Sequence, residues 1–177
     1  TLMFGALIGY VSTVPQIFAD AFHAPERMGI TFSVTATAMA VGALINSQIV
    51  ERFGMRRVSY WSLRGYIVIT FIHIVVSLLI DEGIAIFTAL QAITMACSAL
   101  TTSNYNALAM QPMGALAGSA ASLQGVTATI GGGLVAATIG GFWSGEIYVL
   151  PLGTFVAGIF TLALVRYAEQ QTSPPER

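Results

Sequence analysis

The heptapeptide Glu51-Arg52-Phe53-Gly54-Met55-Arg56-Arg57 holds three of the seven arginines of a 177-residue chain that contains no lysine. An acid and three guanidiniums around a glycine can do two things: exchange charge contacts with neighbouring helix ends, or fix the side of a bilayer on which a segment stays. His73 is the one histidine inside an apolar run. It suits a proton relay or a packed, hydrogen-bonded side chain. Amides and hydroxyls recur in other apolar runs: Tyr10, Ser12, Thr13 and Gln16 in one, Thr88, Gln91, Thr94, Ser98, Thr101 and Tyr105 with Asn104 and Asn106 in another, and Gln124 in a third. Polar groups in hydrocarbon need partners, so these side chains either pair between helices or line a shared cavity. No Asp or Glu falls in the middle of an apolar run, so no carboxylate is evident for carrying a proton across a membrane. The lone Cys97 excludes an internal disulfide and a cysteine-based metal site. No metal or cofactor is expected.

Hydrophobic residues make up 55% of the chain and charged residues 8%, against roughly 25% charged in soluble domains. This composition belongs to an integral membrane protein and leaves no room for a soluble domain. A net charge of −1 gives no bulk attraction to nucleic acid. Six apolar runs are expected as membrane-crossing helices, at about 2–22, 29–50, 58–80, 83–110, 118–143 and 147–167. Their continuous hydrophobicity without strict alternation favours helices over barrel strands. Residues 1–170 then form one bundle and 171–177 a tail. A start at Thr1, with no Met and no basic lead-in, reads as a break in a longer chain.

The connections alternate in charge. The first, third and fifth hold Asp20, Glu26, Asp81, Glu82 and Glu146 against a single Arg27, whereas the second is the arginine heptapeptide and the tail carries Arg166 and Arg177. By the positive-inside rule the arginine-rich side, with both chain ends, is cytoplasmic. Within the fifth span Gly118, Gly125, Gly132 and Gly140 recur with small residues at helical spacing, a seam suited to close helix packing or to a gating helix. The first span carries Pro15, which removes a backbone donor and predicts a kink. The sixth span is apolar nearly all round and is expected at the lipid-facing periphery. Spans two and five share Val-Thr-Ala-Thr at Val34–Thr37 and Val126–Thr129, as corresponding helices of two inverted three-helix units would.

Glu51, Arg52, Gly54, Arg56 and Arg57 resemble the loop signature of the major facilitator superfamily, Gly-x-x-x-Asp/Glu-Arg/Lys-x-Gly-x-Arg/Lys-Arg/Lys, with Ser47 in place of the leading glycine. Residues 103–143 resemble the segment joining the tenth and eleventh helices of the Bcr/CflA-like drug:proton antiporters, through Asn104, Asn106, Ala107, Pro112, Gly114, Gly118, Ser122, Gln124, Gly125, Gly131 and Gly140. The resemblance implies an all-α six-helix bundle, the C-terminal half of a twelve-helix transporter with 3+3 inverted repeats. It further implies proton-driven efflux of drugs or metabolites by alternating access across the bacterial inner membrane, with an N-terminal six-helix half as partner. First, second, fourth and fifth helices would face the cavity and the other half; third and sixth would face lipid. Tyr10, Gln16, Gln91, Thr94, Ser98, Asn104 and Gln124 are the candidate cavity residues, and the heptapeptide is a cytoplasmic gate latch. An uptake transporter of the same superfamily and a six-helix channel or assembly subunit are the alternatives. An intramembrane serine enzyme is disfavoured, because Ser144 falls in a loop and no Gly-x-Ser-x-Gly site accompanies His73.

Overall fold

The computed structural model describes residues 1–172, which form six long helices. They are α1 (Leu2–Gln16), α2 (Met28–Phe53), α3 (Met55–Leu79), α4 (Ile84–Met110), α5 (Ala117–Gly141) and α6 (Val149–Thr172). All six are long and apolar enough to cross a membrane, so the chain is a multi-pass membrane protein. Helix α6 runs further than the sequence implies, through the first residues of the expected tail; Arg177 lies outside the described residues.

Pro15 lies in the last turn of α1, and the helix continues beyond it as a wider π-helical turn, Ile17–Ala21. The proline ring cannot donate to the carbonyl one turn back, and the displaced backbone bonds re-form at longer spacing, as in Phe22 N–H to Ile17 O at 3.0 Å. Short 3-10 turns containing proline, Pro25–Arg27 and Gln111–Leu116, lead into α2 and α5 respectively. Between α2 and α3 a single residue, Gly54, reverses the chain at φ +79°, ψ 149°, a region open in practice only to glycine.

Helix α4 lies against both α2 and α3, while α1 lies against α5 and α6; α3 meets α6 across the bundle. The middle helix of each trio is thus contributed by the other half of the chain. Small residues permit the closest approaches: a methyl on Gly5 would come within 2.9 Å of the Gly132 carbonyl oxygen, and one on Gly42 within 3.3 Å of the Ala96 carbonyl oxygen. The core between the trios gathers Tyr10, Val14 and Phe18 of the α1 segment with Phe87, Met95, Ile139 and Leu150. Helices α2 and α5 are the least buried of the six. Their outward faces carry Ile30, Leu44, Leu123, Val126, Ile130 and Leu134.

Candidate functional site

Several polar side chains within the spans bond between helices, and many of the other hydroxyls bond back to their own helix. Tyr10 is buried and its hydroxyl shares a 2.9 Å bond with Thr35 Oγ1, which joins α1 to α2. Asn104 and Asn46 exchange amide bonds of 2.7 and 3.2 Å between α4 and α2. Ser62 and Thr101 share a 2.9 Å bond between α3 and α4, as do Thr31 and Thr88 at 2.8 Å between α2 and α4. Among the candidate cavity residues, Gln91, Thr94 and Ser98 are also buried on the inward stripe of α4, and Thr94 bonds back to the Leu90 carbonyl. Gln16 is exposed. Gln124 is half-buried, donates to Asn106 Oδ1 at 2.7 Å, and borders a shallow groove of about 520 Å³ beside Met110 and Leu123. Tyr10, Gln91, Thr94, Ser98 and Asn104 therefore sit within helix contacts, and only Gln16 and Gln124 reach an open face.

The arginine turn lies at one end of the bundle. Gly54 makes the reversal, Arg52 lies over Phe53 with 5.4 Å to the ring centroid, and Arg57 over Trp61 at 5.9 Å. Phe53 and Trp61 meet edge to face at 5.5 Å, so the aromatic pair supports both guanidiniums. Glu51, Arg52, Arg56 and Arg57 are exposed, and among the described residues Glu51 forms no ion pair. Within the α5 seam Gly132 is packed against Phe4 and Gly5, whereas a methyl on Gly118, Gly125 or Gly140 would meet nothing within 4 Å.

Sequence reasoning left Glu82 among the loop acids, yet its carboxylate turns inward while Asp81 and Gly83 stay exposed. Glu82 Oε1 lies 2.8 Å from His73 Nε2, with both side chains 1% exposed. The approach is an ion-pair contact more than a well-aligned hydrogen bond, and His73 Nδ1 is buried with no hydrogen-bond partner among the described residues. Ser77, one turn beyond His73 on α3, donates to Glu82 Oε2. Phe87 of α4 covers the imidazole at 5.4 Å and itself touches Phe18 and Phe22. In a low-dielectric interior either side chain would be costly to bury without the other. The available signal was the stripe Thr70, His73, Ser77 ending at a loop whose first residues are acidic. Nearby, Trp143 Nε1 donates to Asp20 Oδ2 at 3.0 Å and fastens the end of α1 to the turn after α5.

Comparison with protein-family models, with curated proteins and with solved structures finds no match.

Proposed function

We propose that this chain is one six-helix half of a major facilitator-type transporter, with a second six-helix bundle seated on the outward faces of α2 and α5. The observation that carries the reading is the pairing of helices. Exchanging α1, α2, α3 for α4, α5, α6 turns the α1–α5 contact into α4–α2 and the α1–α6 contact into α4–α3, and leaves α3–α6 unchanged. An odd shift of three helices also inverts direction, so this pairing is what a 3+3 inverted repeat requires. The two least buried helices, α2 and α5, are equivalent under the same exchange, and so are the two proline-containing turns that precede them.

On this reading the bundle rocks against its partner and moves a drug or small metabolite outward across a bacterial cytoplasmic membrane. The arginine turn faces the cytoplasm and its exposed Glu51, Arg52, Arg56 and Arg57 meet helix ends of the other bundle in the state closed on that side. Coupling to the proton gradient needs an ionisable group shielded from water, and His73 with Glu82 supplies one in this half. Gln16 and Gln124, on α1 and α5, face the substrate path. The test has two parts. The gene sequence upstream of Thr1 is expected to encode six further apolar spans and a second loop signature; an initiator Met immediately before this segment favours the channel or assembly-subunit reading instead. Cells expressing the whole protein are then expected to accumulate less of an exported compound than cells lacking it, and to lose that difference when the proton gradient is collapsed.

A further inference from the structure

Tyr60 of α3 gathers two guanidiniums on one phenolic oxygen. Arg64 Nη2 donates to it at 2.8 Å and Arg166 Nη2, from α6, at 3.2 Å, so the two nitrogens are no more than about 6 Å apart. Arg64 also stacks on the Tyr60 ring at 4.2 Å. Both arginines are exposed. Among the described residues neither is in an ion pair with a carboxylate, and Glu169, one turn further along α6, attracts Arg166. Like charges this close, at the edge of a low-dielectric layer, call for an anion between them, and each guanidinium keeps several N–H donors unused.

Arg64 stands on the same outward stripe of α3 as Trp61, Val68 and Phe71, all exposed, and on the face of α6 that carries Arg166, Ile159 is exposed and Phe155 packs against Phe71 at 5.9 Å. Positive charge therefore sits at the head of an apolar surface shared by α3 and α6, which is the pattern an amphiphile matches. This is the arginine-rich end of the bundle, the side that meets the anionic leaflet if positive charge is retained inside.

We propose that Arg64, Arg166 and Tyr60 form a binding site for the phosphate headgroup of an anionic phospholipid, whose acyl chains lie along the α3–α6 surface. The site is independent of transport, since it lies away from the α2 and α5 faces.

The experiment uses Trp61 as reporter. The chain has two tryptophans, so replacing Trp143, together with any tryptophan of a second bundle, by Phe leaves Trp61 alone beside the site. The protein is reconstituted in phosphatidylcholine vesicles doped, at equal mole fraction, with acyl-brominated phosphatidylglycerol or acyl-brominated phosphatidylcholine, and quenching is measured. The expected result is a preference for phosphatidylglycerol on the order of tenfold in association constant, set by two arginines near the surface, which Arg64→Gln with Arg166→Gln removes. Tyr60→Phe keeps both charges and the fold but releases the guanidiniums from their common oxygen, and is expected to reduce the preference several-fold. Equal quenching by the two lipids in the parent protein overturns the proposal, as does a preference that survives both variants. Loss of the preference on adding inorganic phosphate, at an ionic strength where chloride leaves it intact, assigns the site to free phosphate and also overturns it.

Discussion

His73 Nε2 and Glu82 Oε1 meet at 2.8 Å although one residue belongs to a membrane-crossing helix and the other to the turn that follows it. Removing one partner of such a pair leaves a buried charge or an unpaired polar group. Glu82→Ala is therefore expected to destabilise the bundle by about 3–5 kcal/mol, whereas the double variant His73→Phe, Glu82→Leu costs much less. Reversible unfolding in mixed micelles measures both. Equal losses in the single and double variants would show that the two residues do not act as a pair.

The glycines at the α1–α5 contact and those elsewhere along α5 form two groups. Gly5→Ala and Gly132→Ala each force a methyl into an occupied space, within 2.6 Å of Val135 Cβ and 2.9 Å of Phe4 Cδ1 respectively, and are expected to cost about 1–3 kcal/mol. Gly118→Ala, Gly125→Ala and Gly140→Ala meet nothing within 4 Å among the described residues and are expected to leave stability within about 0.5 kcal/mol. If α5 seats a second bundle, the latter set lowers transport while the protein stays folded. Thermal stability and transport, measured on the same variants, separate the two effects.

The Asn46–Asn104 exchange fixes α2 to α4. Membrane amide pairs are worth about 0.6 kcal/mol on average and up to about 1.7, and this one makes two bonds at once. Asn46→Ala and Asn104→Ala are expected to show a coupling of about 1 kcal/mol in a double-mutant cycle. A coupling indistinguishable from zero would mean that the amides bond elsewhere in lipid.

Gly54→Ala places a Cβ in backbone that L-residues avoid and is expected to cost about 1–3 kcal/mol. Its exposed neighbours behave differently. Among the described residues Glu51 forms no ion pair and Arg52 makes only an exposed stacking contact with Phe53, so Glu51→Gln and Arg52→Ala are expected to change stability by less than about 1 kcal/mol while lowering transport by the whole protein. Expression level and transport rate, read together, test this; normal transport at normal expression argues against a latch.

The helices were legible because each is a long apolar run, and the turn at Gly54 because glycine stands between two such runs without other turn residues. Periodicity also found the α4 stripe, since Gln91, Thr94, Ser98 and Thr101 do share a face. It could not say what that face meets. Hydroxyls and amides that bond across a helix contact have the same spacing as those lining a cavity, and only packing with α2 and α3 distinguishes them. Glu82 was illegible for a related reason: Asp81 and Glu82 are equivalent as loop charges, and one rotation of the chain before Gly83 sends only the second inward. Likewise, one glycine of the α5 seam, Gly132, finds its partner in this chain, a choice set by where α1 crosses.

The interleaving of the two trios bears on synthesis. Of these six helices α1 emerges first, but its main neighbour α5 ends at Gly141. At about 5–20 residues per second, α1 waits on the order of ten seconds in the bilayer before that surface exists. Helices α2 and α3, by contrast, acquire α4 almost at once. Of the six, the earliest made is thus among the last to be packed, and the exposed face containing Gly5 and Gly9 must tolerate lipid until α5 and α6 arrive.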